Sequence, residues 1–136
     1  MNLVVARIKW IMLVSGALTC TMIYAAIAPQ SALMSMFGET LTGPLAEIVV
    51  RNWGALIALM GAMLIYGAYN PPNRALILTV AGIGKLIFIG LVLSQGSRYL
   101  GHQAGIAVMA DLVMVILFAV YLIGVSRNRA DAVNPK

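Results

Sequence analysis

Four apolar runs occupy almost the whole of this chain, at roughly 10–28, 48–69, 75–95 and 104–126. Each stands out in a window of about 19 residues. Each is close to the ~20 residues a helix needs to cross ~30 Å of hydrocarbon. Of the 136 residues, 62% are hydrophobic and 10% charged, against about 45–50% and about 25% in soluble domains. These values exclude an ordinary cytosolic globule, a disordered tail and a coiled coil. The expected fold is all-α: a single integral membrane domain over residues 1–136, arranged as a four-helix transmembrane bundle.

The net charge of +5 suggests a nucleic-acid binder only until the cations are located. They sit at the ends of apolar runs and form no patch or stripe, so no nucleic-acid partner is expected. Arg7 and Lys9 precede the first run, Arg74 lies between the second and third, and Arg127, Arg129 and Lys136 follow the fourth. The other two loops hold Arg98 and Glu39. By the positive-inside rule the bundle runs up-down-up-down with both termini cytoplasmic, in a bacterial inner membrane. Arg7, Lys9 and the small residues Ala26-Ile27-Ala28 also resemble a signal peptide. The run is longer than the usual 7–15 residues and Pro29 follows the cleavage position, so the segment is read as a retained first helix.

The loops carry further expectations. Asn70-Pro71-Pro72-Asn73 cannot continue a helix and makes the second and third spans a hairpin. In the first loop Leu33, Met34, Phe37 and Leu41 recur at helical spacing opposite Ser31, Ser35 and Glu39. That pattern predicts an interfacial helix over about 31–42, stopped by Gly43-Pro44. The polar segment from Asn128 to Lys136 is expected to be a mobile tail.

Glu47, Arg51, Lys85 and Asp111 lie within or beside the spans, where an ion near the bilayer centre costs about 2.5–3.5 kcal/mol. Glu47 and Arg51 share a helix face, four residues apart. Continuing along that face come Gly54, Ala58 and Gly61, a small-residue stripe that lets a neighbouring backbone approach. Asn52 lies near the same end. Lys85 is flanked by Gly82 and Gly84, and Asp111 by Ala104, Ala107 and Ala110. Lysine snorkels along its own stem, so a Lys85–Asp111 pair across a short loop is easy. The polar set Glu47, Arg51, Asn52, Lys85 and Asp111 is expected to converge on the outer half of the bundle, as a structural ion-pair network or as a ligand pocket.

Other chemistry finds few residues to carry it. The single His102 excludes bis-histidine haem, and no Cys-x-x-Cys or metal-ligand cluster is evident. No catalytic residue, metal or cofactor is assigned. Cys20 and the methionines are expected to fill the core.

The segments Arg51-Asn52-Trp53-Gly54 through Gly61, and Gly82-Ile83-Gly84-Lys85-Leu86, resemble small four-helix bacterial membrane proteins of the DoxX-like kind. The resemblance implies a four-helix bundle, a packing role for Gly54, a paired role for Lys85, and kinship with accessory subunits of membrane oxidoreductases. Exposed small-residue faces and the lack of any separate extramembrane stretch favour, as the first functional reading, an accessory or scaffold subunit that contacts membrane lipids and binds a membrane-protein partner or a copy of itself. An alternative is a transporter-like protein holding a lipid or small molecule in an outward-facing polar pocket. A further one is a membrane isomerase using Glu47 or Asp111 as acid and base.

Overall fold

The computed structural model describes residues 2–133, and every regular element among them is helical. In hydrocarbon each backbone N–H and C=O must be satisfied within its own segment, which a helix alone achieves in a single span. The helices are α1 (Asn2–Cys20), α2 (Ile23–Ile27), α3 (Pro29–Phe37), α4 (Pro44–Tyr69), α5 (Arg74–Ser94) and α6 (Gln103–Val133). Four stretches are long and apolar enough to cross a membrane: Leu3–Ile27, Pro44–Tyr69, Pro71–Ser94 and Gln103–Asn128.

The boundaries follow local chemistry. The first stretch is interrupted because Thr21 donates its hydroxyl to the Leu18 carbonyl, 2.6 Å away, while Thr21 and Met22 N–H groups bond three residues back. Such side-chain competition tightens and bends a helix. Ala28 leaves the helical region (φ −126°, ψ 71°) because it precedes Pro29, which then serves as the first residue of α3. Gly38 ends α3 in the left-handed region at φ 71°, its N–H bonded to Met34 O. Gly43 precedes α4, whose first residue is Pro44.

These signals move several expected limits. The first helix begins at Asn2, so Arg7 and Lys9 lie inside it rather than before it. Lys9 reaches over the Tyr69 ring, 4.5 Å from its centroid. The second span begins at Pro44, since a proline at the first turn lacks only a donor that the helix does not use. The helix expected over 31–42 runs instead over Pro29–Phe37, because Gly38 caps it before Leu41 is reached. Its buried face is also rotated: Pro29, Ala32, Leu33 and Met36 are buried, whereas Met34 and Leu41 are exposed. The segment expected to be a mobile tail from Asn128 is helical to Val133. Residues 134–136 lie outside the described residues.

The long helices form a ring in which α1 packs on α4, α4 on α5, α5 on α6 and α6 on α1. Near the 70–73 turn the ring is filled by Ile8 and Met12 of α1, Leu64 and Ala68 of α4, Ile77 and Leu78 of α5, and Phe118 of α6. Arg74 fastens this turn by donating Nε to Gly67 O (3.0 Å) and Nη2 to Ala68 O (2.7 Å), satisfying terminal carbonyls of α4. Among the described residues the opposite half has no continuous core. One small cluster joins Ala25, Leu33 and Val50, another joins Ile89, Val92 and Val108, and Phe37 packs against both.

Candidate functional site

A half-open cavity of about 950 Å³, to which all six helices contribute, reaches the surface at the exposed Leu18, Leu56 and Ile106. Near the 70–73 turn α4 and α5 touch, with Ile77 packed on Gly67. Farther along, Ile57 and Met60 of α4 and Gly84 and Phe88 of α5 line the cavity instead. Small residues keep it open: Ala81, Gly84, Ala107 and Ala110 all border it, and a Cβ added at Gly84 would meet nothing within 4 Å. Ala32, Ser35 and Met36 close one side from α3.

Its principal polar feature is a salt bridge from Lys85 Nζ to Asp111 Oδ1, with side chains only 10% and 16% exposed. Lys85 Nζ also donates to Thr19 Oγ1 at 3.4 Å, and Thr19 is buried. The short 95–102 connection brings α5 and α6 together here, and Gly82 lies beside Phe118 one turn deeper. All three polar residues border the cavity. An ammonium offers three donors and a carboxylate two oxygens. Thr19 and Asp111 Oδ1 engage two of those donors, and among the described residues no protein group donates to Asp111 Oδ2.

The other expected site residues are elsewhere. Glu47 and Arg51 lie 3.9 Å apart and are 49% and 48% exposed. Arg51 Nη1 donates to the carbonyls of Ala26 (2.7 Å) and Ile27 (3.2 Å) at the end of α2. A cation there satisfies orphan carbonyls and opposes the negative end of the helix dipole. Asn52 is exposed, and none of Glu47, Arg51 and Asn52 borders the cavity. The expected single polar set is therefore two sites, because Arg51 is held by the end of α2 rather than drawn to Asp111.

The stripe of Gly54, Ala58 and Gly61 faces α1 and α2. A Cβ at Gly54 would stand 2.7 Å from Ala26 N, and one at Gly61 would stand 2.6 Å from Cys20 N. Cys20 Sγ donates to Ala58 O at 3.5 Å. Gly82, by contrast, has only Phe118 near it, at 3.9 Å.

Two contributors, Thr19 and Tyr99, do not stand out in the sequence. Thr19 is one hydroxyl in an apolar run. Trp53 borders the cavity and lies 6.2 Å from Phe37, ring to ring. Phe37 in turn meets Tyr99 edge-on at 5.4 Å. Beside them Arg98 donates Nε (3.1 Å) and Nη2 to Glu39 Oε1. That hydrogen bond, followed by the charge of Glu39, raises the pKa of exposed Arg98 above its ordinary value. These contacts tie the loop after α3 to the loop before α6, across the end of the bundle.

Comparison with protein-family models, with curated proteins and with solved structures finds no match to this chain.

Proposed function

We propose that this chain is a transporter-like membrane protein that binds a lipid or small amphiphile in the cavity beside Lys85 and Asp111. The observation that carries the reading is the cavity itself: about 950 Å³ lies within the ~300–1,000 Å³ typical of small-molecule sites. Its mainly apolar lining suits an acyl or ring body, and the largely buried Lys85–Asp111 pair supplies convergent polar groups.

The proposal includes an up-down-up-down bundle in a bacterial inner membrane with cytoplasmic termini. Opposed contact order supports it, since Gly16 meets Gly61 while Ala25 meets Gly54. So does charge: Arg7, Lys9 and Arg74 belong to the end with the 70–73 turn, which the positive-inside rule assigns to the cytoplasm. The cavity then occupies the outer half, beneath α3. A DoxX-like kinship accounts for the four-helix plan and stays part of the proposal.

The reading as an accessory or scaffold subunit needs a face open to a partner. Here α1 and α2 occupy the Gly54–Ala58–Gly61 face, so the pocket has the stronger support. Native mass spectrometry of the full chain, released from mild detergent, tests the choice. A retained amphiphile at one per chain supports the pocket. A larger membrane protein at fixed stoichiometry, with no small adduct, favours the subunit.

A further inference from the structure

Resting on that reading, we infer that the preferred occupant is an uncharged amphiphile whose polar end is a hydroxyl, seated against Lys85 and Asp111. Three observations lead there. The first is charge. Lys85 and Asp111 already neutralise one another in a site that is largely shielded from solvent. A guest with an ionised head would bring an uncompensated charge into that low-dielectric space, which is costly unless paired. An anionic head competing for Lys85 would leave Asp111 alone, and a cationic head competing for Asp111 would leave Lys85 alone.

The second is hydrogen-bond capacity. Lys85 directs one donor to Asp111 Oδ1 and one to Thr19 Oγ1, and a third remains. Asp111 Oδ2 receives no hydrogen bond from the described residues. One donor and one acceptor thus stand side by side on the same ion pair, at the border of the cavity. A hydroxyl is the smallest head that accepts from the first and donates to the second. Thr19 already engages the ammonium through a hydroxyl in this way, in its role as acceptor.

The third is the rest of the wall. Leu18, Ile57, Met60, Phe88 and Met114 border the same space and offer only apolar contact to the body of the guest. Thr21, Tyr24, Ser35 and Gln103 add polar atoms to the lining, but the Thr21 and Ser35 hydroxyls already donate to the Leu18 and Ala32 carbonyls. Away from the ion pair the wall is thus mainly apolar, which matches a long-chain or ring alcohol better than a compact polar solute.

Trp53 borders the cavity and reports on occupancy, and Trp10 lies outside it. The experiment uses full-length Trp10→Phe protein in detergent and follows quenching of Trp53 by three dibrominated C18 probes: an alcohol, an alkyl sulfate and an alkyltrimethylammonium. The expected result is saturable quenching by the alcohol at a concentration about tenfold or more below either ionised probe, the order that one charge-assisted hydrogen bond supplies. In Lys85→Met/Asp111→Asn, which removes both charges together, the preference should vanish while saturable quenching persists. Saturable quenching with equal or better response to an ionised probe overturns the hydroxyl assignment and leaves the pocket standing. Quenching that rises linearly for all three probes, as simple partitioning does, overturns the pocket as well. The comparison among probes in protein with both charges intact is decisive whatever the yield of the double variant.

Discussion

Gly61 on α4 lies so close to Gly16 on α1 that a Cβ added to Gly61 would stand 2.8 Å from the Gly16 carbonyl oxygen. It would also stand 2.6 Å from Cys20 N, so backbone rather than flexible side chain blocks it on both counts. Close backbone approach at small residues is what drives association between helices in lipid, where apolar side chains gain nothing by leaving the acyl tails. Gly61→Ala should therefore destabilise the bundle by about 1–3 kcal/mol, the usual penalty for overpacking. Unfolding in mixed micelles measures it. Gly90→Ala, where a Cβ meets nothing within 4 Å, is the control and should change stability by less than about 1 kcal/mol.

The ion pair gives a prediction with a sign. Lys85→Met leaves Asp111 without its partner, and Asp111→Asn leaves Lys85 without its own. Each single change should cost on the order of 3 kcal/mol, because removing one member of a largely buried pair strands the other. The double change should recover much of that loss, giving a coupling free energy well above zero. Equal and additive effects in the same unfolding assay would mean that the two charges do not act together.

Arg51 should behave differently. It is half exposed and fastens the end of α2 through the Ala26 and Ile27 carbonyls. Arg51→Gln should lower stability by less than about 1 kcal/mol. It should leave occupancy of the cavity unchanged, since Arg51 does not border it. Parallel measurement of unfolding and Trp53 quenching separates the two effects.

The crossing above α3 depends on Gly38, which holds a φ of 71°. A side chain there costs about 1–2 kcal/mol in the left-handed region. Gly38→Ala should loosen the 38–43 loop and raise its rate of cleavage by an added protease. The neighbouring Glu39–Arg98 pair is exposed and should weaken with salt. The raised pKa of Arg98 means its stabilising charge is present at all pH below the ordinary arginine range and is lost only as strongly alkaline pH passes the raised value. At fixed pH, added salt should therefore speed cleavage of the loop.

Much of this arrangement is legible in the residues alone. The four spans follow from run length, because a hydrocarbon layer leaves a single segment no option but the helix. The Lys85–Asp111 pair follows from the scarcity of charge in the spans and the short loop between them. What the residues did not reveal depends on where chain segments meet. Arg51 has Glu47 on its own helix, yet its stronger contacts are carbonyls at the end of α2, exposed by the Ala28-Pro29 break. The Gly54–Ala58–Gly61 stripe announces a close neighbour within the bundle, and α1 and α2 are that neighbour. The buried face of α3 differs from the one its apolar spacing suggests, because Gly38 stops the helix one turn before Leu41. The cavity itself is an absence of side chains between helices, and only the packed structure locates it.

Filling the cavity with a side chain is the sharpest test of whether it holds a ligand. Gly84 borders the cavity and has room for added atoms, whereas Gly90 has the same room on α5 and does not border it. Native mass spectrometry of Gly84→Phe and Gly90→Phe, each folded and released from the same detergent, compares how much amphiphile remains bound. A ligand-holding cavity should retain one molecule per chain in the unaltered protein and in Gly90→Phe, and lose it in Gly84→Phe. Equal retention in both variants, or none in the unaltered protein, would contradict it.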